Sequence, residues 1–261
     1  MDRVEYESGV VLHRADHGRV RLAFTERSGG VSKPPYASLN LGSHVGDDLA
    51  AVEENRRRAL AALGCEADAP RLLVPNQVHG DDVVVVRNSD ERELAVIRER
   101  IAAGADAIVC TALNVPVLLC FADCVPVLLT CGDAAFAVVH SGWKGTYARI
   151  AAKAARILCS ETGLDASHIR AYIGPHIQGD EYQVSADLLH TFSLRFDNIE
   201  DTASRLLDLS ACIVSSLEEI GVPPCEIHDL RLSTVRLNTR FFSYRAEAGT
   251  CGRHAAIAVA L

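Results

Sequence analysis

The sequence predicts an α+β fold of mixed α/β type, in a single domain over residues 1–261 with layered sheets and outer helices. Two observations carry this prediction. Short Val-rich runs without polar alternation follow one another in the middle of the chain, which is typical of strands covered on both faces. Longer segments with apolar residues at helical spacing lie before and after these runs. No repeat, low-complexity segment or linker divides the chain.

The first part of the chain is predicted to form a β-hairpin, a helix, two further strands and a second helix. In chain order these elements cover 10–14, 19–25, 48–63, 71–74, 83–87 and 91–103. The hairpin strands are joined by a turn at 15–18, and a Gly- and Pro-rich loop follows at 28–36. Glu–Arg pairs at i,i+4 support the first helix, and Gly64 is its expected end.

The remainder is predicted to form four successive apolar strands and then a mixture of helices and strands. The four strands cover 107–110, 115–120, 125–130 and 134–139. After them come a helix at 143–158, a strand at 170–173, helices at 185–192 and 209–220, and a last strand that ends at Leu261. Ser185 can cap the N-terminus of the helix at 185–192, and Gly221 is the expected end of the helix at 209–220.

Composition and charge exclude several classes of function. The chain has 49% hydrophobic residues, enough to bury a sizeable core, and a formal net charge of −8 with a pI of about 5.7. This charge argues against a general nucleic-acid or anionic-membrane binder, because neither partner is attracted to it. No apolar run reaches the length of a membrane span. Nine cysteines without a secretion signal indicate a reduced protein, and we expect a cytoplasmic location.

Two histidines and one cysteine stand where apolar runs end or are interrupted by polar residues. They are His79 in Asn-Gln-Val-His-Gly, Cys124 in Phe-Ala-Asp-Cys-Val-Pro-Val, and His140 in His-Ser-Gly-Trp-Lys-Gly. Two neutral imidazoles and one thiolate are the ligand set of a catalytic zinc, which keeps a fourth position open. Strand ends and loops on a rigid scaffold are where such sites are built. The sequence therefore predicts a metalloenzyme, provided that the three side chains converge.

The residue types alone leave a second interpretation open. Free cysteines are among the most buried residues and are usually inert, so Cys124 could belong to the core. Cys120 lies four residues before Cys124 and would share its face on a strand, which makes it a second candidate ligand. Cys110, Cys131 and, first of all, Cys120 itself are interpreted as core residues, and the other histidines as surface or supporting residues.

The motifs around these residues resemble those of the YfiH-like family over nearly the whole chain. Members of this family have been called polyphenol oxidases, laccase-domain proteins and zinc-dependent purine nucleoside phosphorylases. The similar motifs in chain order cover 24–32, 38–42, 45–48, 76–80, 104–107, 122–126, 140–145, 173–175, 207–209 and 242–245. Together they are specific, although any one of them alone is not.

The resemblance implies an α/β/β/α layered sandwich. It places the metal ligands on His79, Cys124 and His140, with zinc as the cofactor and copper as the alternative, and it makes Cys124 part of the catalytic site. It also implies phosphorolysis of adenosine, inosine and 5′-methylthioadenosine, together with hydrolytic deamination of adenosine. The partners are then a purine nucleoside and phosphate, whereas the oligomeric state is not predicted.

Cationic and polar residues within the same motifs are candidates for substrate binding. Arg27 and Lys144 supply positive charge for phosphate, and a helix beginning just before Lys144 would add free N–H groups as an anion site. Asp123, Gln77 and Asn40 are candidates to position substrate or to orient a ligand histidine. Local turn hydrogen bonds are the alternative interpretation of these three residues.

Three other interpretations of the site stay open. Cys124 with His140 as base would form a thiol hydrolase or amidase, which leaves His79 without a role. A copper-dependent polyphenol oxidase is the second, since copper also favours thiolate and imidazole ligands. One Met and a single ligand set are poor material for a multicopper relay, however. A structural zinc site is the third, but such sites usually need four protein ligands.

Overall fold

The computed structural model describes all residues from 1 to 261 and contains eleven strands, six α-helices and three short 3-10 helices. The strands are β1 (Asp2–Glu5), β2 (Val11–His17), β3 (Val20–Thr25), β4 (Val83–Val86), β5 (Ala107–Cys110), β6 (Val117–Phe121), β7 (Val125–Cys131), β8 (Ala135–Ser141), β9 (Ile169–Ile173), β10 (Ile227–Asp229) and β11 (His254–Ala260). The α-helices are α1 (Leu49–Leu63), α2 (Glu91–Ala103), α3 (Trp143–Tyr147), α4 (Ile150–Thr162), α5 (Ala186–Ser193) and α6 (Leu209–Glu218). The 3-10 helices are Glu66–Arg71, Ala166–His168 and Pro224–Glu226.

The strands form two sheets. One has five strands in the order β1-β2-β3-β11-β6, and all of its pairs are antiparallel. The other has six strands in the order β10-β9-β7-β8-β5-β4. In the six-stranded sheet only the two edge pairs, β10–β9 and β4–β5, are parallel. The central pairs β9–β7, β7–β8 and β8–β5 are antiparallel, and a short turn joins β7 to β8.

Helices cover the outer faces of the two sheets. The inner faces pack against each other around residues such as Phe24, Leu119 and Val138. Helix α1 packs on the outer face of the five-stranded sheet through Leu60. Helices α4, α5 and α6 cover the outer face of the six-stranded sheet, where Leu158 is fully buried. This order of layers confirms the predicted single-domain α/β/β/α sandwich. None of the helices combines the length and apolar character needed to cross a membrane.

Local sequence signals determine several elements as predicted. Helix α1 begins after Asp48, whose carboxylate accepts from the Ala50 N–H, and ends at Gly64, which takes a left-handed φ of 81°. Helix α2 has the predicted bounds. Ser185 caps α5 by accepting from the Leu188 N–H. The four central strands β5 to β8 are buried along their whole length, as their apolar runs indicate.

Two predicted elements are wrong. The strand predicted at 71–74 is a single bridge from Leu73 to Val117, because Pro70 and Pro75 flank this segment and cannot donate ladder hydrogen bonds. The helix predicted at 143–158 is broken at Arg149, which has a left-handed φ of 60°. An Ala-rich pattern continues through that break, so periodicity alone cannot locate it. The short strands β1 and β10 were not predicted, because neither is an apolar run.

Antiparallel pairing of β7 with β8 brings two of the predicted metal ligands together. Pro126 pairs with His140 and Val125 pairs with Ser141. Cys124 immediately precedes β7, so it lies beside the end of β8 that carries His140. Cys124 and His140 are sixteen residues apart in sequence, and the turn between β7 and β8 brings them close in space.

Candidate metal centre

The side chains of His79, Cys124 and His140 converge on one point. Their ligand atoms all lie within 4.8 Å of one another, and we call these three residues the ligand cluster. His140 is only 3% exposed, Cys124 is half-buried and His79 is exposed. No fourth His, Cys, Asp or Glu joins the cluster. A tetrahedral ion held by these three residues would therefore keep one position for a further ligand.

Asp106, immediately before β5, connects two members of the ligand cluster. Its Oδ1 lies 2.7 Å from His140 Nδ1 and accepts from the His79 N–H at 3.0 Å, while its Oδ2 accepts from the Gly80 N–H at 2.7 Å. Asp106 is fully buried. The Asp106 carboxylate accepts a hydrogen bond from the Nδ1–H of His140. The lone pair of His140 Nε2 is therefore directed to the cluster. Asp106 was not among the predicted site residues, although its Gly-Ala-Asp motif was identified.

The charges of the ligand cluster are coupled. Burial raises the pKa of the Cys124 thiol, but His140 and His79 outweigh it and lower this pKa to about 6. Burial lowers the pKa of His140, and the Cys124 thiolate and Asp106 outweigh it, so that this pKa rises to about 9. Without a metal the pair is thus a thiolate beside an imidazolium, and a bound cation would replace the His140 proton. Burial instead raises the pKa of Cys120 to about 11, as expected for an inert thiol.

The surroundings of the ligand cluster fit a zinc ion. A tetrahedral zinc with bonds of about 2.0–2.3 Å holds its ligand atoms roughly 3.5 Å apart. The observed limit of 4.8 Å requires only small side-chain adjustments to reach that geometry. Gly142 keeps the adjoining space free, since a Cβ there would lie 3.2 Å from Cys124 Sγ and 3.4 Å from His79 Cδ2. The donor set, one thiolate and two imidazoles, is the one that zinc prefers.

The ligand cluster lines a cavity of about 480 Å³. Side chains from both sheets and from the loops between them line it: His44, Gln77, His79, Cys120, Phe121, Ala122, Asp123, Cys124, His140, Ile177, Tyr182, Tyr244, Arg245 and Arg253. Two other cavities, one between α1 and α2 and one polar cleft beside β10, contain no residue of the cluster. The converging ligand atoms therefore single out this cavity as the candidate active site.

Gln77 and Asp123 lie in the cavity lining beside the ligand cluster. The Gln77 amide donates to the Cys120 carbonyl and accepts from the Cys120 N–H, both at 2.8 Å. Asp123 has a left-handed φ of 87°, and its carboxylate accepts from the Thr234 hydroxyl at 2.6 Å and the Arg245 N–H at 2.7 Å. The Gln77 side chain thus joins its loop to the backbone of Cys120. The Asp123 side chain holds Thr234 and the backbone of Arg245.

The structure does not bring Asn40, Arg27 or Lys144 into the cavity lining. Asn40 is buried, and its Oδ1 accepts from the Arg253 N–H at 2.8 Å. Arg27 forms a two-bond ion pair with Glu247 at 3.2 Å. Lys144 is exposed on the five-residue helix α3, with its Nζ 5.5 Å from the Trp143 ring. Local sequence cannot show these outcomes, because each depends on a partner far away in the chain or on the position of the cavity.

Several cavity residues lie outside the predicted set. They are His44, Tyr182, Tyr244, Arg245 and Arg253. The last three belong to the segment 230–253, which joins β10 to β11 and contains no helix or strand. We call Arg245 and Arg253 the arginine pair. Both arginines end short motifs that the sequence displays, Phe-Ser-Tyr-Arg and Gly-Thr-Cys-Gly-Arg, but nothing in these motifs indicates that they meet at one cavity.

A sequence model of the protein family described as multi-copper polyphenol oxidoreductase laccase matches residues 21–260. The chain belongs to this family. The matched range includes the whole ligand cluster and the arginine pair. The resemblance to the YfiH-like family is therefore confirmed.

Relatives and solved structures resemble the chain over most of its length. A purine nucleoside phosphorylase of Mycobacterium tuberculosis is 34% identical, over 94% of this chain and 96% of the relative. One of Deinococcus radiodurans is 36% identical, over 94% and 91%. The crystal structure of YlmD from Geobacillus stearothermophilus has a TM-score of 0.82 at 29% identity, over 94% of this chain and 93% of that one. The hypothetical protein YfiH from Bacillus licheniformis has a TM-score of 0.83 at 29% identity, over 93% of both.

Proposed function

We propose that the chain is a purine nucleoside phosphorylase that holds one zinc ion at His79, Cys124 and His140. The observation that carries this proposal is the ligand cluster in the lining of a cavity of about 480 Å³. Cavities of roughly 300–1,000 Å³ enclose small organic ligands, and a nucleoside falls in this class. The relatives named purine nucleoside phosphorylase, at 34% and 36% identity, support the same activity.

Phosphorolysis exchanges one bond of the sugar for another. A phosphate oxygen forms a bond to the anomeric carbon, and the bond from that carbon to the purine nitrogen breaks. The electron pair of the broken bond stays on the base, which takes up the proton that hydrogen phosphate loses. The products are a free purine and the 1-phosphate of the sugar, which is ribose 1-phosphate for adenosine and inosine. The site must therefore hold a nucleoside and an anion side by side.

The residues of the site divide this task. A zinc ion, when bound, supplies Lewis acidity with one open coordination position. Asp106 keeps the His140 ring and the His79 backbone in place through its buried carboxylate. Gln77 and Asp123 hold the cavity wall in place through their bonds to Cys120, Thr234 and the Arg245 backbone.

The expected substrates are adenosine, inosine and 5′-methylthioadenosine, following the resemblance to the YfiH-like family. Adenosine is also expected to undergo hydrolytic deamination. In that reaction water adds to the purine carbon that carries the amino group, ammonia leaves, and inosine is formed. Deamination needs no anion, so its dependence on phosphate distinguishes it from phosphorolysis at the same site.

The test of the proposal follows both reactions in one metal-analysed preparation. Adenosine is incubated with and without inorganic phosphate, and nucleosides, bases, ribose 1-phosphate and ammonia are quantified. With phosphate we expect ribose 1-phosphate in an amount equal to adenine plus hypoxanthine, because inosine formed by deamination is itself a substrate. Without phosphate we expect only inosine and ammonia. Base release at an unchanged rate without phosphate would instead identify a nucleoside hydrolase. A chelator should abolish both reactions, and added zinc should restore them.

A thiol hydrolase or amidase is the second candidate, and one observation favours it. The Cys124 thiolate, the His140 imidazole and the Asp106 carboxylate follow one another in the order of a nucleophile, a base and an orienting group. Such an enzyme would not need His79 as a ligand. It would keep its activity after metal removal, whereas the zinc enzyme expected above would lose it.

Copper-dependent phenol oxidation is the activity contained in the family description. A multicopper relay needs several metal sites, yet the ligand cluster is the one group of three or more His, Cys, Asp or Glu with converging ligand atoms. Copper binds N/S sites more tightly than zinc, and zinc has no accessible redox change. We therefore expect phenol oxidation only after copper loading. Assaying both activities before and after copper is added to one preparation tests this; phenol oxidation by a copper-free sample would contradict it.

A further inference from the structure

The arginine pair brings two guanidinium groups to the cavity without an acidic partner. The Arg245 guanidinium makes no hydrogen bond and no ion pair with the protein, and its Cζ lies 5.6 Å from the centre of the Tyr182 ring. Arg253 uses Nη1 for the carbonyls of Cys251 and Gly252, each at 2.9 Å. Its Nε and Nη2 have no protein partner, so N–H donors of both arginines are available to a ligand in the cavity.

Two other arginines near this segment are paired with carboxylates, unlike the arginine pair. Arg27 is bound to Glu247, and Arg240 lies 2.6 Å from the buried carboxylate of Glu26. The one carboxylate of the cavity lining, Asp123, already accepts from Thr234 and from the Arg245 backbone. The Asp123 carboxylate forms no ion pair with the guanidinium of Arg245 or of Arg253. The cavity is left with two unpaired cations in a chain whose net charge is −8.

We propose that the arginine pair is the subsite that binds inorganic phosphate. This inference rests on the proposed phosphorolysis, because that reaction requires an anion beside the nucleoside. Guanidinium groups present planar sets of N–H donors that match phosphate oxygens, and such charge-assisted bonds are about twice as strong as neutral ones. The subsite replaces Arg27 and Lys144, which lie outside the cavity lining, as the source of the positive charge for phosphate.

The backbones of both arginines are held by the residues that surround them. The Asp123 carboxylate accepts from the Arg245 N–H at 2.7 Å, and Asn40 Oδ1 accepts from the Arg253 N–H at 2.8 Å. Asp123 adjoins Cys124 in sequence, so the position of Arg245 is linked directly to the ligand cluster. Asn40 thereby acquires a positioning role through Arg253 rather than a contact with substrate. This arrangement places the anion donors in the same cavity as the open position of the metal site.

The test measures phosphate binding separately from catalysis. Inorganic phosphate is titrated calorimetrically into the zinc-loaded protein without nucleoside, using wild type, Arg245→Gln and Arg253→Gln. Kinetics on the same proteins give KM for phosphate and KM for adenosine. We expect each variant to weaken phosphate binding and to raise KM for phosphate by about 10- to 100-fold, with a much smaller change in KM for adenosine. Arg245→Lys should be intermediate, because it keeps the charge but not the planar donor set.

Matched variants and a folding check make the result decisive. Arg92→Gln removes an exposed arginine on α2, far from the cavity, and should change neither constant. Lys144→Gln tests the competing cation. Metal content and thermal unfolding show that each variant is folded. Unchanged phosphate affinity in both arginine variants, or no phosphate binding by the wild type, overturns the subsite. If the wild type binds phosphate through these arginines but releases no base, the subsite stands and the proposed phosphorolysis fails.

Discussion

The ligand cluster and the arginine pair line the same cavity but are held in different ways. Cys124 and His140 lie at the ends of paired central strands, and the buried Asp106 ties His140 to the loop of His79. The arginine pair lies in the segment 230–253, which has no regular structure. Rigid strands suit a resident ion, whose bonds tolerate little displacement, whereas a loop suits an anion that enters and leaves in every turnover.

The segment 230–253 is nevertheless anchored at two points away from the cavity. The Arg27 N–H donates to the Arg240 carbonyl at 2.7 Å, and the Arg240 guanidinium binds Glu26. The Arg27 side chain holds Glu247, which lies in the same segment between Arg245 and Arg253. Arg27 therefore helps to hold the segment that carries the arginine pair. The ligand cluster and the arginine pair therefore differ in how they are held, and the following predictions test that difference in order of decreasing effect.

Substitution of the central ligand should have the largest effect. Cys124→Ala removes the only thiolate of the ligand cluster, and two imidazoles alone do not complete the site. We expect zinc content to fall to background and both nucleoside activities to be lost, as measured by metal analysis and product assays. Cys120→Ala is the control, because this buried thiol lies outside the cluster. Full zinc content in Cys124→Ala, or loss of zinc in Cys120→Ala, would assign the metal to other residues.

Asp106→Asn and Asp123→Asn should separate the two sides of the cavity. The first removes the carboxylate that orients His140 and His79, and we expect zinc affinity to fall by about 10- to 100-fold. The second loosens the backbone of Arg245 and should leave zinc affinity nearly unchanged while raising KM for phosphate. Zinc competition with a chromogenic chelator measures the affinities. Equal losses of zinc affinity in the two variants would mean that the sides are not independent.

Acid should weaken the anchor of the segment 230–253. Burial raises the pKa of Glu26, but hydrogen bonds from His13, Arg240 and Arg3 outweigh it and hold this pKa well below its ordinary value. A depressed carboxyl pKa contributes stability that is present above the unfolded value, about 4.3, and is lost as the pH falls through the folded value. Glu26→Gln should thus cost about 2 kcal/mol of unfolding free energy at pH 7, and less at pH 3.

Urea unfolding of the wild type and Glu26→Gln at the two pH values measures this change. Glu54→Gln is the matched control, because its pKa is also lowered, to about 2, by Arg57 and Arg58, but on the partly exposed surface of α1. A surface pair of this kind contributes under about 1 kcal/mol. A constant gap between Glu26→Gln and wild type from pH 7 to pH 3 would show that the Glu26 charge is not what holds the anchor.

The Tyr182 ring should have the smallest effect. Its centre lies 5.6 Å from the Arg245 guanidinium carbon, and a cation–π contact at a partly exposed site contributes about 0.5–1 kcal/mol. Tyr182→Leu should therefore raise KM for phosphate by about 2- to 5-fold, whereas Tyr182→Phe keeps the ring and should not. Steady-state kinetics with phosphate as the varied substrate measures both. An equal rise in the two variants would assign the effect to the hydroxyl group instead.

Residue chemistry and apolar patterning predict the ligand cluster and most of the central sheet. Buried strands are apolar along their whole length, so β5 to β8 are visible in the sequence. Caps such as Asp48 and Ser185 determine helix ends through bonds to residues only two or three positions away. His79, Cys124 and His140 are visible because few side chains bind zinc and each stands where an apolar run ends or is interrupted.

The three-dimensional structure alone decided which charges are free and which are paired. Arg27 and Arg245 look alike in sequence, yet Arg27 meets Glu247 across 220 residues while Arg245 meets no carboxylate. The break at Arg149 is equally invisible, because an Ala-rich helical pattern continues through it. Local signals act over a few residues of the chain, whereas an ion pair depends on where the fold places its partner. The sequence by itself therefore determined the layers and the three residues of the ligand cluster, and the packing of distant loops decided which arginines line the cavity without an acidic partner.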